Sequence, residues 1–146
     1  MDDASALQEF LYRQIPITEA MGVEVQFPPD GSLALGAPLV RNHNHLGTAF
    51  GGSLSALLIL AGYALLWREL NQPGLHIVVR DTGISYRRPV HEDLRVVCAH
   101  PGEEMLATFR DGLLRKGRAR IRLEMKAEAA GQTAVEAWGV FVGVRA

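Results

Sequence analysis

The sequence has a single cysteine, Cys98, so no internal disulfide can form and the fold must rest on packing. It also lacks an excess of either charge. Fifteen basic residues face 16 acidic ones, for a net charge of −1 and a pI near 6.5. That balance excludes the broad basic footprint of a nucleic-acid-binding protein. Aromatic residues make up only 7%, and none interleaves with the basic residues Arg115, Lys116, Arg118, Arg120 and Arg122, so base stacking has no platform there. No P-loop, dinucleotide fingerprint or nucleophile elbow occurs, and no His, Cys or acidic residues fall at metal-ligand spacing. Neither a metal nor a bound cofactor is expected. Repeats, low-complexity tracts and linkers are missing too. The longest apolar run, Leu54 to Trp67, spans 14 residues, or about 21 Å as a helix. A membrane span needs about 20 residues, and Arg68 and Glu69 end this run at once. A buried core helix is expected, with no membrane contact. The start, Met1 to Ser5, is acidic and lacks a basic signal region, so a reducing, cytoplasmic setting is expected.

What is present is a chain of 146 residues that fits one domain over 1–146. Apolar residues reach 48%, a surplus that suggests a subunit burying surface against a copy of itself. Leu7, Phe10, Leu11 and Gln14 have helical spacing and Pro16 ends the run, which predicts a helix over 4–14. Val23, Val25 and Phe27 alternate, so Ala20 to Phe27 reads as a strand. Pro28-Pro29-Asp30-Gly31 turns it into a second strand from Ser32 to Leu39. A polar loop over 41–50 leads to a helix from Gly52 to Leu70, stopped by Pro73-Gly74. Strands are predicted over 77–86 and 94–100. Met105, Phe109 and Leu113 recur at helical spacing within 103–114. From Gly117 the period becomes two, with Ala119, Ile121, Leu123, Met125 and Ala127 alternating with charged residues. After Gly131-Gln132 a last strand covers 133–144. A helix apolar nearly all round must be enclosed on most sides. A curved antiparallel β-sheet wrapped around one long central helix meets that need, giving an α+β chain of the hotdog type.

The motifs Ile15-Pro16, Ala20-Met21-Gly22-Val23, Ala37-Pro38-Leu39 and Asn42-x-Asn44-His45-x-Gly47-Thr48-x-Phe50-Gly51-Gly52-Ser53 cover the first half of the chain. Ile77-Val78-Val79-Arg80-Asp81-Thr82, Tyr86-x-x-Pro89-Val90 and Gly117-x-Ala119-Arg120-Ile121 cover the second. In these the chain resembles the putative-thioesterase family typified by the YiiD C-terminal domain. The resemblance implies a hotdog homodimer and acyl-thioester chemistry, with coenzyme A entering only as part of the substrate. At one remove the loop also resembles that of phenylacetate-type hotdog thioesterases, Asn-x-x-Gly-x-x-His-Gly-Gly. Here Asn44, Gly47, Gly51 and Gly52 match, and Phe50 stands where those proteins carry histidine. They also carry an acid nine positions further on. That position is Ile59, and nothing acidic occurs between Gly51 and Arg68.

Thioester hydrolysis needs donors for the carbonyl oxyanion, an activated water and room for the acyl group. The start of the central helix offers the first, because its leading N–H groups are unpaired and its dipole is positive there. Gly51 and Gly52 leave those groups open to a carbonyl. The alternative is that the glycine pair packs tightly against a strand. Asn44 is a candidate to orient water, and His45 or His43 to take its proton. Asn42, Gly47, Thr48, Phe50 and Ser53 are candidate substrate contacts. These polar residues could equally cap the helix and tie the loop down. Asp81 is the best remaining carboxylate, since a charge within an apolar strand needs a reason. It could come from a second subunit to replace the missing helix acid, or simply pair with Arg80, Arg87 or a basic strand residue. Period two puts Ile77, Val79, Asp81 and Ser85 on one face and Val78, Thr82, Ile84 and Tyr86 on the other. Arg87 and Arg88, with the basic strand 118–122, are candidates for coenzyme A phosphates or a solvated face. Phe50, Leu54, Leu57, Leu58 and Tyr63 read mainly as core, a few of them lining an acyl tunnel. The primary expectation is an acyl-CoA or acyl-carrier thioesterase. A non-catalytic acyl-thioester binding or sensing domain is the alternative, and a hotdog dehydratase is disfavoured by the missing helix acid.

Overall fold

The computed structural model describes residues 2–145. Helix α1 (Asp3–Gln14) begins where the Asp2 carboxylate accepts the Ser5 N–H at 2.7 Å, and it buries Leu7 and Leu11. The chain then forms a second short helix, α2 (Ile17–Met21), where alternation predicted the start of a strand. Pro16 sits at its N-terminal boundary with helical torsions, and Gly22 closes it at φ +74°. That left-handed conformation is accessible to glycine at no steric cost. Strand β1 is therefore only Glu24–Gln26. It forms the expected hairpin with β2 (Leu33–Ala37), pairing Val25 with Leu35.

After a 3-10 turn at Leu39–Arg41 and the polar loop comes α3 (Gly51–Leu70). Asn71 ends it in the left-handed region, before Pro73 is reached. β3 (Leu75–Tyr86), β4 (Leu94–Cys98), α4 (Glu103–Lys116), β5 (Arg118–Ala129) and β6 (Gln132–Arg145) follow. All six strands join one antiparallel sheet in the order β1-β2-β4-β5-β6-β3.

The sheet encloses α3, which packs against β2, β3, β4, β5 and β6. Leu57, Leu58, Ala61, Ala64, Leu65 and Leu66 have no exposed surface. α3 is the one helix among the described residues long and apolar enough to cross a membrane, but burial inside the sheet already accounts for its apolarity. At Gly62 the Phe141 ring of the sheet occupies the space a Cβ would need. β4 leaves the sheet after pairing with Met125 to Ala127, and α4 then lies along the remaining length of β5.

One irregularity changes which residues share a face. The β3–β6 register shifts between Val79 and Asp81, so Arg80 is an extra residue. Strand alternation flips across such a bulge. Ile77 and Val79 lie on the helix-facing side with Phe141, whereas Asp81 and Ser85 lie opposite Val140 and Glu136 on the outer side. Thr82, Ile84 and Tyr86 rejoin the inner face. The strict period-two assignment of Asp81 to the face of Ile77 and Val79 is thus corrected.

Candidate active site

The loop before α3 is a compact turn held by its own polar side chains. The Asn44 N–H donates to the Thr48 carbonyl at 2.7 Å and the Gly47 N–H to the Asn44 carbonyl at 3.1 Å. The Asn44 side-chain oxygen accepts from the N–H groups of Leu46 and Thr48, and its amide nitrogen donates to the Thr48 hydroxyl at 2.8 Å. Gly47 makes the reversal at φ +80°. Asn42 is buried, and its amide nitrogen donates to the carbonyls of Met21 and Pro38, both at 2.9 Å. Its own carbonyl accepts the Phe50 N–H at 2.8 Å. Asn42 thereby ties the loop to α2 on one side and delivers the chain into α3 on the other.

None of these residues caps the helix. Phe50 occupies the N-cap position with extended torsions, and no side chain accepts a first-turn amide. The Leu54 N–H bonds to the Phe50 carbonyl, but the N–H groups of Gly51, Gly52 and Ser53 have no partner among the described residues. Three unpaired donors thus converge at the positive end of a 20-residue helix dipole. The glycine pair is not explained by packing against a strand backbone. A Cβ on Gly51 would meet the Tyr86 ring at an ordinary 3.6 Å, whereas one on Gly52 would fall against the Phe50 ring, which leaves room there only for glycine.

The structure brings His43 close to this end and leaves His45 at the tip of the turn. His43 pairs across the loop with Ala49, and its Nδ1–H donates to the Asn44 carbonyl at 2.9 Å. A carbonyl cannot donate, so the neutral ring presents Nε2 as its free acceptor. His45 is exposed and makes no hydrogen bond among the described residues. Ser53 lies in the first turn of α3 rather than at its cap. Asp81 is exposed on the outer face of β3 without an ion pair among the described residues; within one chain it is not brought to Asn44. Arg87 pairs with Glu136 at 3.0 Å, both exposed, whereas Arg88 has no ion pair among the described residues.

Tyr86 was not singled out from the sequence as a site residue. Its hydroxyl donates to the Gly51 carbonyl at 3.1 Å, and its ring lies beside the glycine pair. The available signal was its place in the Tyr86-x-x-Pro89-Val90 motif. The same segment holds the loop, because the Val90 carbonyl accepts the Ala49 N–H at 2.8 Å.

Of the residues named for an acyl tunnel, Leu54, Leu57 and Leu58 are buried core. Tyr63 instead joins Ala56, Ile59 and Leu60 in lining a cavity of about 260 Å³ between α3, α2 and β3. Ile59, the position that carries an acid in the wider group, is part of this apolar wall. Cys98 is not a nucleophile: burial pushes its thiol up to about 12.

Glu69, His100 and Glu103 bring ligand-type atoms within 4.8 Å of one another. His100 Nδ1 accepts the Gly102 N–H at 3.0 Å, which leaves the neutral ring's proton on Nε2. That nitrogen faces Glu69 at 3.5 Å and Glu103 at 3.6 Å, so it presents a proton to two carboxylates rather than a lone pair to a metal.

Comparison with known proteins agrees with the geometry. A protein of unknown function from Chlorobaculum tepidum TLS superposes with a TM-score of 0.90 at 32% identity, over 98% of this chain and 94% of that one. A putative thioesterase from Shewanella oneidensis does so with a TM-score of 0.83 at 28% identity, over 97% and 96%. A Bacillus halodurans protein crystallised with CoA shares the fold at 23% identity and a TM-score of 0.71, over 99% and 88%. The family model described as putative thioesterase (yiiD_Cterm) matches residues 4–145. With nearly its whole length matched and its sheet wrapped around one helix, this chain belongs to the hotdog-fold putative thioesterase family of the YiiD C-terminal type.

Proposed function

We propose that the protein hydrolyses an acyl-CoA or acyl-carrier thioester at the start of α3. The observation that carries this reading is the set of three unpartnered amides, Gly51, Gly52 and Ser53, at an open helix terminus. Water adds to the thioester carbonyl, and the oxyanion that forms lies against these amides. The tetrahedral species collapses with cleavage of the C–S bond, releasing a carboxylic acid and a thiol. The proton removed from water passes through a base to the leaving sulfur.

For that base the reading takes His43, whose Nε2 is free to accept, with His45 and a partner subunit's Asp81 as the other candidates. Asn44 holds the turn that positions them, together with Thr48 and Gly47. Arg87 and Arg88 lie just beyond Tyr86 and supply positive charge for the phosphates of coenzyme A, without any metal or further cofactor. The CoA bound in the Bacillus halodurans relative is consistent with this class of substrate. The working unit is a homodimer in a cytoplasmic setting, with no nucleic acid or membrane partner. Support for the dimer comes from β3, a 12-residue strand at the end of the sheet. Its Val78 is 59% and Val79 37% exposed. Apart from the bulge at Arg80, this edge carries neither the proline nor the lysine that usually blunts one.

Purified protein assayed for thiol release across acyl-CoA esters tests the proposal. Turnover is expected, with loss of about 10²-fold in His43→Ala if His43 is the base. Parallel losses in His45→Ala or Asp81→Asn would assign the role there instead. A second reading, acyl-thioester binding without hydrolysis, is favoured by one observation: Ile59 stands where the wider group carries an acid, and nothing acidic occurs between Gly51 and Arg68. Tight binding with no thiol release across the panel would establish it and overturn hydrolysis.

A further inference from the structure

The N-terminus of α3 is weakly secured by its own residues. The first two are glycine, the poorest helix former after proline. No side chain caps the end, and the N–H groups of Gly51, Gly52 and Ser53 have no partner among the described residues. A peptide between two glycines has wide torsional freedom on both sides. Its restraint comes from outside the helix. The Tyr86 hydroxyl donates to the Gly51 carbonyl at 3.1 Å, and the Tyr86 ring lies beside Gly51.

Tyr86 is itself held in place. It is the last residue of β3 and pairs with Val135. The next two amides, of Arg87 and Arg88, both donate to the Ala134 carbonyl, at 2.8 and 3.1 Å. The Val90 carbonyl then accepts the Ala49 N–H, two residues before the helix. One short segment thus fixes both the hydroxyl and the chain entering α3.

The Gly51 carbonyl and the Gly52 N–H belong to one planar peptide. They point in opposite directions, so holding the oxygen aims the hydrogen. A donor on the oxygen also draws electron density across the C–N bond and strengthens the N–H as a donor, by about 10–30% per bond in a hydrogen-bonded chain. A helical carbonyl accepts one bond from the amide four residues on. Its second lone pair is free for Tyr86.

We infer that Tyr86 is a positioning residue for thioester hydrolysis, its hydroxyl aiming and strengthening the Gly52 N–H as an oxyanion donor. This role rests on the proposed function for the chemistry at that amide. Tyr86 acts through the peptide and needs no contact with substrate. A stronger donor gains more against a charged oxygen than against a neutral carbonyl. The effect therefore falls on the transition state, and on kcat rather than KM.

The test is Tyr86→Phe, which deletes one oxygen and keeps the ring. On the acyl-CoA ester that the unaltered protein turns over best, kcat should fall about fivefold with KM nearly unchanged, less than the loss of about 10²-fold for removing a donor outright. Tyr86→Ala should lose at least as much. A packing role alone predicts that Tyr86→Phe keeps the full kcat. Two ligands that cannot be hydrolysed supply a readout without turnover. S-acetonyl-CoA presents a neutral ketone, whereas its trifluoromethyl counterpart adds water and presents an oxyanion. Tyr86→Phe should bind the first as before and the second about fivefold more weakly. In NMR spectra of the free protein, the Gly51 carbonyl-carbon and Gly52 amide-nitrogen resonances should both move upfield in the variant. Circular dichroism and mass by light scattering check that fold and assembly are kept. If the unaltered protein hydrolyses nothing yet prefers the trifluoromethyl ketone, and Tyr86→Phe weakens that preference, hydrolysis falls and the positioning role stands. No turnover and no such preference in the unaltered protein removes the oxyanion site and Tyr86's role with it. With the site present, unchanged kcat and ketone preference in Tyr86→Phe, or resonances that stay in place, overturns the role of Tyr86 alone.

Discussion

At the scale of single residues, the glycine pair before the central helix has a definite chemical consequence. Gly51 is the first residue of α3, and its N–H has no partner among the described residues. Proline is tolerated at that position, where no helical bond is lost. Phe50 already has the extended torsions, φ −66° and ψ 131°, that a following proline requires. Gly51→Pro should therefore keep the helix and remove one donor. If Gly51 contributes to the oxyanion site, kcat for a good substrate should fall about 10²-fold or more, with the melting temperature nearly unchanged. Undiminished kcat would exclude that amide. The polar residues around it divide differently from what their types suggest. Asn44 and Thr48 spend their side-chain hydrogen bonds within the loop, and Asn42 spends its own tying the loop to Met21 and Pro38. His43 keeps a ring nitrogen free, and Tyr86 reaches the glycine pair from a strand 35 residues away.

At the scale of elements, the loop and α2 are fastened together by one buried side chain. Asn42→Ala would leave the Met21 and Pro38 carbonyls without that donor inside the fold. Leaving buried polar groups unsatisfied costs roughly 1–3 kcal/mol. Denaturant unfolding should show a loss of that size, and an unchanged midpoint would mean water replaces the amide without penalty. Element type was legible in the sequence wherever one period ran for several turns or residues. The apolar helix, β5 and α4 are of this kind. α2 was not legible, because five residues hold barely more than one helical turn. The decision between helix and strand there fell to Pro16 and Gly22, not to the pattern of side chains. The bulge in β3 was likewise silent. No residue type marks Arg80 as the unpaired residue, yet it reverses the face of Asp81.

At the scale of the whole molecule, the proposed homodimer would pair two chains at the edge strand β3, beside the exposed Val78. Light scattering is expected to give twice the 16.0 kDa chain mass. Val78→Lys puts a charge on that edge, a common means of blocking strand pairing. It should shift the mass toward a single chain and, if a partner's Asp81 serves the site, reduce turnover with it. A single-chain mass for the unaltered protein would remove Asp81 from the mechanism.

The sequence by itself determined the enclosed helix, the antiparallel sheet around it and the polar loop with its glycine pair. Each is a local pattern, written in the spacing of neighbouring residues. Tertiary structure alone decided that Tyr86 meets Gly51, that Asp81 faces outward, and that α3, α2 and β3 together line an apolar groove. Those outcomes depend on register and on contacts between residues far apart in the chain. Periodicity carries no information about either.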